Sequence, residues 1–557
     1  MQVKPQLTEI IQRLFDLDVD PVVTRPEPKF GDYSSNIALQ IAGRVQDNPR
    51  NVAEKIAEEL KVSGRYKEVS IAGPGFINVF LKDEALLASI GQAPELAFDG
   101  KRIVFEYSCP NAFKELHTGH LYQTIFGDIA ANLMVLGGAN LQRTSFGGDV
   151  GLHVAKCLYG MVDELGGEYP ENLRNFDDSN AFERATWISS CYVKGAKAYE
   201  DDEQAKLAID ELNKTIYGFH DTQDKTSPLA QIYWKTRQWS YDYFDAFYTI
   251  IDVQKMRYYA ESDTAPVGMA VVKEQLAKGV LKESDGAVVF EGDESKHLHT
   301  RVFVTSKGLP TYETKDIGVI WLEKQDYDFE HRYILTGNDQ TEYMRVVFAA
   351  AEAFQPELAG TMTHLTNGTV KFADGQKMSS RLGNVTRAID VINIVREKIA
   401  ELVEDSTLID DVTLGAVKYA FARYSLGGDI AFNIEETVSL TGNSGPYLQY
   451  AHARARRIIE KLAYEPVMPE TIEAEDQDLV RKLGEFTDVQ SAAIRQLQPH
   501  LICNYLFELA QEFNRYYEKN RVIGDEKEAH RADLVQLYAD TLKNGLAILG
   551  IYAPDKM

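Results

Sequence analysis

The chain has 557 residues, 44% hydrophobic and 26% charged, with 84 acidic against 59 basic side chains and a formal charge of -25. That length is too great for one compact core and predicts about three or four domains. Apolar runs stay well short of the roughly 18 residues a membrane span requires, and the acidity argues against a uniformly basic surface for nucleic acid while leaving room for a local one.

The opening segment "MQVKPQLTEIIQRLF" shows no basic head followed by an apolar block, so a cytoplasmic protein is expected. Leu7, Ile10, Ile11 and Leu14 then mark one helix, Val52, Ile56 and Leu60 a second, and "IAGPGFINVFL" a turn feeding a strand. Residues 1–82 are thus predicted to form a small α+β module, and residues 83–100, ending in "GQAPELAFDG", a linker.

"KRIVFEYSCPN" predicts a buried strand of the parallel type, and Leu121, Ile125, Ile129 and Leu133 a helix stopped by Gly137-Gly138. Strand, turn and helix open a doubly wound α/β domain over residues 101–409, in which ligands sit beyond the carboxyl ends of the strands. A helical, aromatic and acidic block at about 160–295 is expected to be an insertion, "HRYILTGN" a later strand, and residues 410–557 a helical bundle. Cys109, Cys157, Cys191 and Cys503 lie far apart without C-x-x-C spacing, so reduced, mostly buried thiols are expected, with neither a disulfide frame nor a structural zinc site.

Two segments carry chemistry. In "NAFKELHTGHLYQTIFGD", His117 and His120 flank Thr118-Gly119 at a helix start. They could ligate a metal, though no third ligand stands at matching spacing. They could cap the helix, or they could donate N–H bonds to a triphosphate over its N-terminus, with Gly119 admitting the nucleotide. "GQKMSSRLGN" adds a glycine-flanked loop with Lys377, Met378, Ser379, Ser380 and Arg381, suited to closing over the same phosphates.

Together these segments resemble the His-x-Gly-His and Lys-Met-Ser-Lys-Ser elements of class I aminoacyl-tRNA synthetases. The second loop lysine is replaced by Ser380, with Arg381 following. "PEPKFGDYSSNIALQIA", "EYSCPNAFKELHTGHL", "GGDVG", "YFDAFYTIIDVQKMRYYAES", "NSGPYLQYAHARARRI" and "LKNGLAILGIYAPDKM" extend the likeness to the arginyl-tRNA synthetases from near residue 24 to the end. The resemblance implies an N-terminal tRNA-binding module, a Rossmann-like catalytic domain with an inserted connective region, and an all-helical anticodon-binding domain. It also implies ATP with Mg2+, L-arginine and tRNA(Arg) as partners, no DNA, and a monomer.

By that resemblance His117, His120 and Lys377 are catalytic, and Gly119, Met378, Ser379, Ser380 and Arg381 complete the ATP site. Glu106, Ser108, Asn111 and His153 are then expected around the amino acid, with Tyr312, Asp316 and Gln340 at the guanidinium end. His153 stands in "GDVGLH" where the family pattern has a glutamine after "GDWG".

For RNA, the helical pattern of "PYLQYAHARARRIIEKL" sets Tyr447, Tyr450, Arg454, Arg457 and Lys461 along one side and Leu448, Ala451, Ala455, Ile459 and Leu462 on the other. Phe76 and Asn78 match positions where the family contacts tRNA, whereas Asp540 stands where an arginine is common. Two other functions fit parts of the pattern: an RNA-binding paralogue without catalysis, or a class I synthetase for a neutral amino acid. The second conflicts with buried carboxylates at Glu106 and Asp316.

Overall fold

The computed structural model describes residues 3–372 and 387–557. The N-terminal module packs the helices Val3–Phe15, Ile37–Val45 and Pro49–Val62 on an antiparallel sheet. Its strands are β1 (Val23–Thr24), β2 (Tyr33–Ser35), β3 (Tyr66–Ala72) and β4 (Phe76–Leu81), in the order β1-β2-β4-β3. Asn48 caps the third helix by accepting the N–H of Arg50, with Pro49 at the first helical position.

Leu7, Ile10, Ile11, Val52, Ile56 and Leu60 meet Ile77 and Val79 in the core, as the two periodicities require. Leu14, at the end of its helix, instead faces outward. The stretch expected to be a linker contains a further helix, Asp83–Ser89, with Asp83 and Glu84 in its first turn and Leu86 and Leu87 buried. Acidic residues favour a helix N-terminus and the leucine pair docks it, so the glycine and proline signals begin only after it.

The central domain is a five-stranded parallel sheet of β5 (Arg102–Glu106), β6 (Asn140–Gly147), β7 (Arg257–Ala260), β11 (His331–Gly337) and β12 (Met362–Asn367), in the order β12-β11-β5-β6-β7. From β5 the chain builds outward through β6 to β7, then returns to the other side of β5 for β11 and β12. The switch point therefore lies between β5 and β11, where the carboxyl ends of adjacent strands open a crevice. Strand β7 falls inside the stretch expected to be an insertion. Its four residues, "RYYA", carry no apolar run to reveal a sheet strand.

Within that stretch the helices Ala181–Asp201, Glu203–Asp221 and Pro228–Ile250 form their own core around Cys157, Cys191, Tyr233 and Trp239. The strands β8 (Lys282–Ser284), β9 (Ala287–Phe290) and β10 (Arg301–Val304) make a separate antiparallel sheet. It packs beside the helix Tyr312–Tyr327.

The C-terminal region is built from helices Ile409–Ala422, Gly445–Ile459, Gln477–Gly484, Phe486–Gln496, His500–Lys519 and Glu528–Ile548. The strand Ile430–Phe432 interrupts them, pairing in parallel with Val370–Phe372. The N-terminal module docks on this region through ion pairs of Arg25 with Asp488 at 2.9 Å and of Arg481 with Asp32 at 2.8 Å. Among the described residues no helix is long and apolar enough to cross a membrane.

Candidate active site

Strand β5 delivers the chain to the site through a tight turn. Ser108, Cys109 and Phe113 hold φ values of 72°, 47° and 65° there, a left-handed conformation costly for residues with a Cβ. Such strain persists only where the surroundings enforce it. The hydroxyl of Ser108 lies 2.6 Å from Thr124 Oγ1 and 2.8 Å from Tyr248 OH, and the N–H of Phe113 donates to Ser240 Oγ at 3.0 Å.

The turn ends on the histidine pair. His117 Nδ1 accepts the N–H groups of Gly119 at 3.0 Å and His120 at 3.3 Å, while His120 Nδ1 accepts the N–H of His117 at 3.2 Å. The two residues thus form a reciprocal cap on the helix Thr118–Leu136. A neutral imidazole that accepts at Nδ1 carries its hydrogen on Nε2, so capping leaves both outer nitrogens as donors. The surrounding protein, aided by the charge of Lys114, lowers both pKa values, His120's the more, and the rings are neutral at pH 7.

Gly119 has a nearer reason to be glycine than nucleotide approach. A Cβ there would stand 2.8 Å from Cε1 and 2.9 Å from Nδ1 of His117, so the stacked ring itself excludes a side chain. Above the pair opens a cleft of about 1020 Å³, lined among others by Lys114, His117, Gly119, Asn338, Asn367 and Lys371. It lies at the switch point, with the neutral His117 ring, the positive end of the helix and the charges of Lys114 and Lys371 lining it, an arrangement suited to a polyanion. Lys377, Met378, Ser379, Ser380 and Arg381 lie outside the described residues.

A second group of side chains gathers beside β5. Asn111 Oδ1 accepts the N–H of Gly148 at 2.8 Å, and His153 Nε2 lies 3.4 Å from Gly148 O. Burial pushes the His153 pKa down to about 4, leaving a neutral ring. Glu261 pairs with Lys315 at 2.5 Å. The adjacent Asp316, 6% exposed, takes its hydrogen bond from the Tyr343 hydroxyl. Burial raises the Asp316 pKa to about 7, opposed by the Tyr343 hydrogen bond and the charge of Arg332.

Glu106, 1% exposed, pairs with Arg332, which also donates through Nε to Glu323 at 2.6 Å. Tyr312 stands at the exposed mouth with Lys315 over its ring, and Gln340 donates to Asp339 at 2.9 Å. Ser108, expected around the amino acid, is fully buried, and its hydroxyl is engaged by Thr124 and Tyr248 within the turn.

Three family models together span most of the chain. The catalytic domain of class I tRNA synthetases, R type, matches residues 84–422. The chain belongs to the class I arginyl-tRNA synthetases. The arginyl-tRNA synthetase N-terminal domain matches residues 1–81, and the DALR anticodon-binding domain residues 448–557.

Arginine–tRNA ligases of Haemophilus ducreyi and Thermosynechococcus vestitus are 28% and 29% identical, over 97% and 99% of this chain and 99% and 98% of theirs. The arginyl-tRNA synthetase structure of Thermus thermophilus superposes with a TM-score of 0.82 at 22% identity, covering 100% of this chain and 99% of its own. That of Plasmodium falciparum reaches 0.79 at 19% identity, covering 100% and 98%. Both show the fold of an arginyl-tRNA synthetase.

Some site residues of this synthetase were not legible in sequence. Tyr343 and Glu261 come from distant segments, and Arg332 and Glu323 sit on a strand and a helix whose text gives no sign that their charges are buried. Lys315 adjoins Asp316 in "TYETKDIG", the one available signal.

The stripe expected to meet RNA differs in exposure along its length. Tyr450, Arg454, Arg457 and Lys461 are exposed, with Leu448, Ala451 and Ala455 buried behind them. Tyr447 turns half inward, its hydroxyl accepting from Asn514 at 3.0 Å. Arg454 lies over the Tyr517 ring, and Arg457 donates to Met557 O at 2.5 Å. On the N-terminal module Phe76 is exposed, but Asn78 is 4% exposed and accepts the Ser34 hydroxyl at 2.7 Å. That bond between neighbouring strands removes Asn78 from the RNA-facing set.

Proposed function

We propose that this chain activates L-arginine with ATP and transfers it to tRNA(Arg), working as a cytoplasmic monomer on tRNA rather than DNA. The observation that carries the arginine assignment is Asp316. A buried carboxylate whose hydrogen-bond partner is a neutral phenol has an uncompensated charge, and a guanidinium supplies the missing cation with paired donors. Glu106, Glu261, Glu323 and Asp316 make four carboxylates against two cations, Arg332 and Lys315, so the pocket favours a substrate bringing positive charge.

Glu106 and Asn111 suit the α-ammonium and carboxylate end, with Tyr312 and Gln340 at the rim. The arginine carboxylate attacks the α-phosphorus of ATP, the bond to the pyrophosphate oxygen breaks, and arginyl-adenylate forms. A ribose hydroxyl of the tRNA terminus then attacks the arginyl carbonyl and AMP leaves.

His117 and His120 hold phosphate oxygens through Nε2–H as charge builds, and Lys377 is assigned the matching charge from the loop. Magnesium bound to the triphosphate neutralises phosphate charge. The acidic body of the chain leaves tRNA to local faces, the Tyr450–Lys461 stripe and Phe76. Aminoacylation of total tRNA with each labelled amino acid in turn tests the proposal: charging by arginine alone supports it, and charging by a neutral amino acid overturns it.

A further inference from the structure

Arg332 is the largest fully buried side chain of the molecule among the described residues, and it lies inside a parallel sheet. A guanidinium is costly to take out of water unless its donors are met. Here Nε donates to Glu323 Oε2 at 2.6 Å and Nη2 to Glu106 Oε2. Glu323 Oε1 in turn accepts the Thr144 hydroxyl at 2.7 Å. The network thus joins β6, the helix Tyr312–Tyr327, β11 and β5 behind the amino-acid pocket.

The sheet register fixes which side of Glu106 the guanidinium occupies. Arg332 pairs with Val104 and Ile334 with Glu106, so Arg332 starts two residues further from the carboxyl edge of the sheet. Its long side chain rises to meet Glu106 from below. One carboxylate oxygen is therefore held from the interior. The other, Oε1, meets the turn after β5, where the Cys109 thiol at 3.5 Å is a weak donor that leaves acceptor capacity.

We propose that Arg332 is a positioning residue for amino-acid recognition, holding the Glu106 carboxyl group by one oxygen and so aiming it at the substrate α-ammonium, a role that rests on the arginine-activating reading of the pocket. The groups facing Glu106 explain why a cation is needed there. Burial, with Glu323 and Asp316 on the neighbouring helix, pushes the Glu106 pKa up, whereas Arg332 on β11 and, more weakly, the hydrogen bond from the Cys109 thiol pull it back. Without that guanidinium, burial and the two nearby carboxylates raise Glu106 further, and the carboxyl group loses both its anchor and its best support for a charge that pairs with an ammonium. Arg332 does not touch the substrate in this arrangement, so its effect passes entirely through Glu106.

The test is a comparison of ligands that differ at one group. Binding of L-arginine and of 5-guanidinopentanoate, which lacks only the α-ammonium, is measured by calorimetry at pH 8 on the full chain and on Arg332→Lys and Arg332→Gln. Lysine keeps a charge in the sheet and so preserves folding, checked by circular dichroism, even where the glutamine variant leaves two carboxylates unpaired. The preference for arginine over 5-guanidinopentanoate is expected to fall about tenfold in Arg332→Lys and further in Arg332→Gln, with 5-guanidinopentanoate itself changing less than about threefold.

Equal weakening of both ligands overturns the proposal, because a strap that merely supports the sheet loosens the whole pocket. An unchanged preference overturns it too. A native chain that binds no arginine defeats the functional reading itself, whatever the variants do.

Discussion

The rings of His117 and His120 stack with centroids 3.7 Å apart, each turning Nδ1 onto a backbone N–H of the other's turn. The helix cap uses one edge of each ring, and the phosphate-donor reading needs only the other edge, so the two readings are compatible. Asparagine separates them. As an N-cap residue it replaces the Nδ1 acceptor, yet it has no group where Nε2–H stood. His117→Asn should leave stability within about 0.5 kcal/mol while lowering the rate of adenylate formation roughly 10²–10³-fold. Denaturant unfolding and single-turnover adenylate formation measure the two effects, and a parallel loss of both would mean that the ring matters only as a cap.

The N-terminal module offers a sharper contrast between neighbours on one strand. Asn78 is enclosed by its bond to Ser34, whereas Phe76 is 41% exposed. Asn78→Ala should destabilise by about 1–3 kcal/mol, through the buried Ser34 hydroxyl left unpaired, and leave tRNA affinity in the folded protein unchanged. Phe76→Ala should do the reverse, weakening tRNA binding with little loss of stability, because a stacking surface is removed from solvent-facing ground. Thermal melts and filter binding on both variants decide it.

The fold was legible in sequence wherever one periodicity ran unbroken. Leu121, Ile125, Ile129 and Leu133 are all buried in the helix they predicted, and Ile103, Val104 and Phe105 lie in the interior strand. Short edge elements escaped because four residues such as "RYYA" carry too little pattern. In the site, Asp316 could be named in advance, but its partner Tyr343 and the buried Arg332 could not. A charge reads as solvated until the sheet register shows which carboxylates surround it. Asn78 failed for the opposite reason, since an exposed-face position on a lone strand became interior once β2 paired with β4.

The exposed stripe of Arg454, Arg457 and Lys461 makes a claim about salt. Each cation that contacts phosphate releases counterions, so replacing one by glutamine should lower the slope of log Kd against log salt by about 0.7–0.9. The three together should reduce the slope by roughly 2, despite the -25 charge of the whole chain. Arg457 already donates to Met557 O, and its contribution should be the smallest. An unchanged slope in the triple variant would place the RNA elsewhere.

The pH dependence of arginine use follows from Asp316. Burial holds its pKa at about 7 in the free protein, so below that pH the neutral acid predominates. A guanidinium pairs with the ionised form, and binding must therefore expel a proton under acidic conditions. kcat/KM for arginine should rise about tenfold per pH unit below pH 7 and level off above it, and binding at pH 6 should release close to one proton, read by calorimetry in buffers of different ionisation heat. Asp316→Asn abolishes both effects, because the amide does not titrate. It also leaves the guanidinium without its anion in a partly dry pocket, a loss of about 2–5 kcal/mol, or roughly thirtyfold to several thousandfold in kcat/KM. Citrulline, with a neutral urea in place of the guanidinium, should gain relative to arginine in that variant. A solvated surface acid would show none of this. If the arginine-to-citrulline ratio and the acid limb both survive the substitution, the guanidinium binds to another carboxylate, and Glu261, paired with Lys315 beside it, becomes the residue to change next.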